Sequence, residues 1–348
     1  MKRMMHLALC VLAFSLGGCA TAPSGHQAIL TEEFMVAAVD PGVELYVRNK
    51  RLASMSEFPA ERVVLFVHGS TYPAETAFDL SLNGISWMDY IVRHGYDVYL
   101  VDLRGYGRST RPPEMDQPAD KNPPLVKTEV AVRDVGAAVD FIRKRRRVDR
   151  INLLGWSWGA TIMATYTARN NAKVGKLMLY APQWIRTTPQ LIGGSGPLGA
   201  YRVAQEDAAK ARWLTGVPEA KKAELIPPDW FEAWATATFT SDPWGAKENP
   251  RKLRAPNGTL QDTRDYWSAG KSYYEPEHIR VPTLILVGEW DQDNPPYLAQ
   301  TLFPKLINAP YKQLVHIGEA THTMMMEKNR MQLFRAVQVF LDDPAPRP

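Results

Sequence analysis

Between Phe34 and Pro182, short apolar, β-branched runs alternate with stretches in which apolar residues recur at helical spacing. That alternation is the pattern of strands joined by crossover helices in a largely parallel sheet. Strands are predicted over 34–39, 44–49, 62–68, 97–102, 151–155 and 176–180, and helices over 85–94, 129–147 and 157–169. Each strand gives way to a loop opened by Gly, Asp or His. Ligands of open α/β sheets bind at those carboxyl ends, so chemistry is sought there.

From Trp184 to Glu275 the pattern changes, with no clear buried strand and short helical pieces broken by Pro and Gly. The segment reads as an inserted helical cap. Its aromatics, among them Trp213, Trp230, Trp234 and Phe239, favour plain packing over ligand contact where they fall at helical spacing. The strand pattern resumes over 283–288 and 312–317, and an amphipathic helix over 325–341 leads to a Pro-rich tail. The expected organisation is a leader (1–18), a linker (19–32), a core in two parts (33–183 and 276–342) around the cap (184–275), and a tail (343–348).

With 45% hydrophobic and 22% charged residues in 348, the chain is neither disordered nor fibrous, and it is long enough for one large domain with an insertion. At its start, Lys2 and Arg3 precede an apolar stretch from Leu7 to Leu16 that ends in Leu16-Gly17-Gly18-Cys19. That is a signal-peptide layout. An apolar core of about a dozen residues is shorter than the roughly 20 that cross a bilayer. The Leu-Gly-Gly-Cys ending resembles the bacterial lipobox. The resemblance implies lipidation of Cys19, a lipid anchor to the membrane, and a place in the bacterial cell envelope, on the periplasmic face of the outer membrane or at the cell surface. A plain secretory leader, and a secreted protein, is the alternative.

Loss of residues 1–18 removes Lys2 and Arg3, takes the net charge from +4 to +2 and leaves Cys19 as the one remaining cysteine. Stability then rests on the core rather than on internal disulfides. So small a charge does not point to nucleic acid. The basic run Arg143 to Arg147 closes a predicted helix, where cations suit the helix dipole, and reads as a solvated helix end.

The sharpest local signal is Gly155-Trp156-Ser157-Trp158-Gly159. Three fixed positions match by chance on the order of 0.1 times in a chain this long. The weight therefore lies in the context, an apolar strand before and a helix after. A serine on a sharp strand-to-helix turn presents its hydroxyl above the sheet, and glycines on either side give the clearance. Ser157 is the candidate nucleophile. It needs a base, and the base needs an orienting carboxylate. Downstream, the strand 283–287 runs into Gly288-Glu289-Trp290-Asp291-Gln292-Asp293-Asn294. Asp291 is the favoured acid, with Asp293 and Glu289 as rivals. His322, in the loop before the last helix, is the favoured base. His316 falls inside a strand pattern and reads as a buried structural histidine. Acyl transfer also needs amide donors for the developing oxyanion. These are assigned to Trp158 N–H and to Ser70 N–H in the turn His68-Gly69-Ser70-Thr71, with Thr71 as runner-up and His68 as a brace of the turn.

Together with Asp102-Leu103-Arg104-Gly105-Tyr106-Gly107-Arg108-Ser109, these motifs resemble the α/β-hydrolase fold superfamily in its cap-bearing serine hydrolase branch, from about Arg62 to Leu341. The resemblance implies a mostly parallel eight-stranded sheet flanked by helices, an inserted helical cap, the catalytic order Ser157, Asp291, His322, a structural Asp102, and no metal or organic cofactor. Serine at the elbow, rather than Asp, speaks against haloalkane dehalogenase and epoxide hydrolase chemistry. The His-Gly-Ser turn departs from the His-Gly-Gly-Pro-Gly of proline iminopeptidases, although a Trp after the nucleophile is shared with them. The expectation is a carboxylesterase acting on a small-molecule ester. Four alternatives stay open: an aminopeptidase or amidase with a cap carboxylate (Glu206, Asp207 or Glu232) at the substrate amine, a cofactor-free haloperoxidase, a C–C bond hydrolase, and a non-catalytic surface lipoprotein. Chain-length preference and oligomeric state are not encoded in any pattern found.

Overall fold

Strands whose two faces are both covered by helices are near-continuous apolar runs, and the central strands of this chain follow that, with Asp97, Asn152 and Lys176 near their starts. The structure is a computed structural model that describes residues 27–344; the leader and Cys19 lie outside the described residues. β1 (Ile29–Ala37) and β2 (Glu44–Leu52) form an antiparallel edge, followed by β3 (Val63–Val67), β4 (Asp97–Val101), β5 (Ile151–Trp156) and β6 (Val174–Tyr180). An inserted antiparallel pair, β7 (Tyr201–Gln205) and β8 (Lys252–Pro256), forms a separate sheet before β9 (Thr283–Gly288) and β10 (Lys312–Ile317) return to the first. The main sheet is eight-stranded in the order β1-β2-β4-β3-β5-β6-β9-β10. Every pair from β4 to β10 is parallel.

Alternate residues of each strand point to opposite faces, which splits the core in two. Leu65, Val67, Leu153 and Ile285 face α3 (Thr128–Arg146) and α4 (Trp158–Arg169). Phe66, Leu154, Met178 and Leu286 face the other helical layer. That layer holds α1 (Ala74–Phe78), α2 (Trp87–Arg93) and the last helix, α10 (Arg330–Asp342). α2 starts on a capping box between Ser86 and Asp89. α3 starts on a carboxylate from far away, since Thr128 N–H donates to Asp262 Oδ2 at 2.6 Å. The basic run at the end of α3 is not simply solvated. Arg146 is buried against Asp97 at 2.7 Å, and Arg145 pairs with Glu32 at 2.8 Å.

The inserted segment is not purely helical. α5 (Glu206–Trp213), α6 (Glu219–Leu225) and α7 (Trp230–Phe239) lie between β7 and β8. Strands of five residues that mix polar and apolar side chains leave no periodic trace in the sequence. The end of the predicted cap belongs with the core: α8 (Gly258–Asp262) supplies the cap of α3, and Trp267 and Trp184 are buried in the α3/α4 layer. A short helix, α9 (Pro296–Leu302), follows β9. The final helix starts at Arg330 and not at Met325. Glu327 is drawn inward instead, its carboxylate accepting from Thr321 N–H at 3.0 Å and Thr323 Oγ1 at 3.1 Å. No helix among the described residues is long and apolar enough to cross a membrane.

Candidate active site

β5 ends at Trp156 and α4 begins at Trp158, leaving Ser157 alone to turn the chain. It does so at φ 59°, ψ −118°, a conformation non-glycine residues avoid. The turn is held by Ser157 N–H, which donates to Tyr180 O at 2.8 Å. Side chains are barred on both sides. A Cβ on Gly155 would lie 2.2 Å from Gly159 O, and one on Gly159 would lie 2.4 Å from Val67 O. The hydroxyl is thus placed at the N-terminus of α4, beside the turn after β3, where a Cβ on Gly69 would come within 3.2 Å of Ser157 Cβ.

Asp291, in the turn after β9, is fully buried. Its Oδ1 accepts from Asn294 N–H at 2.8 Å, and its Oδ2 meets His322 Nδ1 at 2.8 Å. That pairing puts the proton on Nδ1 and leaves Nε2 as the basic nitrogen. The loop after β10 is pinned at the His322 carbonyl, which accepts from Trp156 Nε1 at 3.0 Å and from Tyr180 Oη at 2.7 Å. The Trp156 ring lies 5.4 Å from the imidazole. Burial lowers the imidazole's proton affinity, but the charge of Asp291 and its hydrogen bond outweigh that, so the His322 pKa is raised. Burial raises the Asp291 carboxyl, with the imidazole opposing. Ser157 and His322 line one narrow cleft. Ser157 Oγ accepts from Asn294 Nδ2 at 3.4 Å, and its own hydroxyl proton is not donated to the imidazole in this arrangement. In hydrolytic sites without substrate such contacts are often long and tighten in the substrate complex.

Across the cleft, the backbone N–H groups of Ser70, Thr71 and Trp158 have no acceptor among the described residues. Ser70 borders the cleft on both sides of Ser157, Thr71 on one. The turn carrying them is braced by its carbonyl and by His68. Ser70 O accepts from Tyr106 Oη at 2.8 Å and Arg202 Nη2 at 2.7 Å. His68 Nδ1 donates to Gly69 O at 2.7 Å while Nε2 accepts from Leu103 N–H at 3.1 Å. Burial pushes the His68 pKa down to about 4, so the ring is neutral, as this pair of bonds requires.

A family model described as the alpha/beta hydrolase fold matches residues 62–329. The chain belongs to the α/β-hydrolase fold family. Compared by sequence with curated proteins, it has no match. Among solved structures it is similar to an esterase of Thermogutta terrifontis, at 16% identity and TM-score 0.55 over 89% of this chain and 98% of that one. A meta-cleavage product hydrolase of Pseudomonas fluorescens shares 15% identity at TM-score 0.54 over 89% and 97% of the two chains. A thioesterase domain from the curacin biosynthetic pathway shares 16% at TM-score 0.55 over 90% and 99%. Similarity at this level speaks to the fold.

Within this α/β-hydrolase the rival acids are occupied elsewhere. Asp293 is bound by Arg212 Nε at 2.8 and 2.9 Å. Glu289 accepts from Glu319 N–H at 2.8 Å. Asp102 accepts from Ala74 N–H at 2.8 Å and Arg108 N–H at 3.1 Å, a purely local brace. His316, expected to be buried, is exposed, because β10 is the edge of the sheet and its outer face is uncovered. Glu206 and Glu232 bind Arg251, and with Asp207 they stay out of the cleft around Ser157. Glu327, whose pKa burial pushes up to about 7, braces the His322 loop from behind. Trp158 is packing, fully buried with Nε1 donating to Thr128 Oγ1 at 2.8 Å, and Trp156 is a wall of the cleft. Among the described residues no cluster of His, Cys, Asp and Glu is arranged to hold a metal.

Three residues of the site were not singled out from sequence: Tyr180, Asn294 and Arg212. Asn294 lies three places after Asp291, one beyond the reach of an Asx turn, so its position in the sequence is no signal. Arg212, on α5, carries none.

Proposed function

We propose that this α/β-hydrolase cleaves carboxylic esters through an acyl-enzyme on Ser157. The observation that carries the reading is the buried Asp291–His322 pair held at the wall of the same cleft as a serine in a strained elbow. In this mechanism Ser157 Oγ attacks the ester carbonyl as its proton passes to His322 Nε2. The amides of Trp158 and Ser70 hold the negative charge that develops on the carbonyl oxygen, an interaction worth about 10²–10³ in rate per donor. His322 then returns the proton to the departing alcohol, and Asp291 holds the ring and balances its transient charge. Water repeats the sequence on the acyl-enzyme. The space beside Ser157 Oγ measures about 10 Å³ on one side and about 20 Å³ on the other, room for one water each. An acyl group therefore enters as cap and core separate.

The test is a p-nitrophenyl ester series on the wild type and Ser157→Ala, with fluorophosphonate labelling located by mass spectrometry. Loss of at least about 10³ in kcat and of the label at residue 157 is expected. A mutant that turns over like the wild type removes the mechanism. We further propose that Cys19 is lipidated and tethers the enzyme to the cell-envelope membrane. Cys19→Ser is expected to move it from the detergent phase to the aqueous phase, and unchanged partitioning refutes the anchor.

A further inference from the structure

Arg212 is the one side chain that borders both narrow spaces beside Ser157 and also the larger cavity next to them, of about 360 Å³. Its Nε is spent on Asp293. Its Nη1 and Nη2 have no hydrogen-bond partner among the described residues, although the side chain is only 18% exposed. Two parallel N–H donors in one plane match the two oxygens of a carboxylate. The surroundings add to the case. Arg186 and Arg202 flank the same spaces, donate only to carbonyl, amide and hydroxyl oxygens, and have no carboxylate partner among the described residues. Asp293 is the one acid that lines these spaces, and a buried cation left without a counter-ion is costly. The larger cavity is mostly apolar, with Ile192, Leu198, Ala208 and Leu260 in its wall beside Thr71, Gln205 and Asn257.

We propose that the substrate is an ester bearing a second, free carboxylate, which Arg212 Nη1 and Nη2 bind while the substrate's hydrocarbon lies in the adjoining, mostly apolar cavity. The inference rests on the serine-hydrolase reading and narrows it. Asp293 holds the guanidinium by Nε and so turns its outer edge toward the substrate. The excess of positive charge supplied by Arg186 and Arg202 draws the anion in and disfavours neutral esters of the same shape only by comparison.

The experiment uses matched pairs: the mono-p-nitrophenyl esters of glutaric and adipic acid against p-nitrophenyl pentanoate and hexanoate, and 4-acetoxybenzoate against phenyl acetate. In at least one pair the charged member is expected to have a kcat/KM about tenfold or more above its neutral partner, carried mainly by KM and weakened by added salt. Arg212→Gln alone leaves the Asp293 carboxylate facing the substrate, so the decisive variant is Arg212→Gln with Asp293→Asn. Its charged-to-neutral ratio is expected to fall by about tenfold, with Arg212→Lys in between. The ratio cancels any general loss of activity or folded fraction. A wild-type ratio near or below one in every pair overturns the proposal, as does a ratio unchanged in the double variant. Ser157→Ala run on the same esters reports separately on the nucleophile, so failure of the mechanism and failure of the charge preference are told apart.

Discussion

A carboxylate and an imidazole buried side by side set each other's charge, and the catalytic consequence is a pH profile. In the proposed mechanism His322 must be neutral to accept the Ser157 proton, so activity is expected to fall as pH drops through its pKa. That pKa is raised above 6.5 because the charge and hydrogen bond of Asp291 exceed the effect of burial. Asp291→Asn removes the two largest raising interactions and leaves burial and Arg212, which lower the pKa, opposed by Asp293 alone. The acid limb of kcat/KM is therefore expected to lie above 6.5 in the wild type and to move to lower pH in the variant. The rate itself should drop by about 10³–10⁴, since the amide favours the wrong tautomer. A kcat/KM profile from pH 5 to 9 on both proteins checks position and height together. An acid limb that stays in place breaks the link between the two residues.

At the scale of elements, what matters is how closely β3, β5 and α4 approach one another. The sequence pattern placed two glycines around the nucleophile, and the structure shows what each avoids: the Gly155 Cβ would strike α4, and the Gly159 Cβ would strike the exit of β3. Neither obstacle is a side chain that can swing away; both are backbone. Gly159→Ala is expected to destabilise the protein by about 1–3 kcal/mol and to abolish fluorophosphonate labelling in whatever fraction folds. Gly136, in the middle of α3, is the contrast. Its nearest neighbour to a new Cβ is a Tyr166 ring carbon at 3.5 Å, an ordinary contact. Gly136→Ala should stabilise by about 0.5–1 kcal/mol, as alanine does in a helix interior. Urea titrations of the pair check both signs.

Across the whole molecule, the cap shares buried core with the sheet through Trp213, Trp234, Phe239 and Leu253, and ion pairs hold its own shape. Arg254 on β8 grips Asp242 through Nε at 3.0 Å and Nη2 at 2.9 Å. It also reaches Asp116, on a core loop, at 3.1 Å. Asp242 is wholly buried, and its carboxyl is held below the usual range because Arg254 outweighs the opposing effect of burial. Arg254→Met leaves that charge with Arg111, 3.8 Å away, as its remaining cation and is expected to cost about 3 kcal/mol. The loss should show as a lower urea midpoint, with the first proteolytic cuts in the cap. A stability change under about 1 kcal/mol would mean that the pair does not hold the cap's shape.

The sheet, its two helical layers and the elbow were legible in the sequence because their determinants are local. Parallel strands covered on both faces are near-continuous apolar runs, as in β3 and most of β5 and β9, and a strained turn demands glycine at fixed offsets. The pairing of Asp291 with His322 could be anticipated only through the order of loops, since the two lie on separate strand ends. Other features left no trace. β7 and β8 find each other across some fifty residues and carry too few apolar positions to declare themselves. Arg212 meets Asp293 from a different part of the chain, Trp156 and Tyr180 meet on one carbonyl of the His322 loop, and His316 is exposed only because β10 has no outer neighbour. Periodicity and turn chemistry, which act between neighbours, were thus decided by the sequence alone. Which charges oppose one another, and how much room remains beside Ser157, depend on distances between segments, and only the assembled chain sets those.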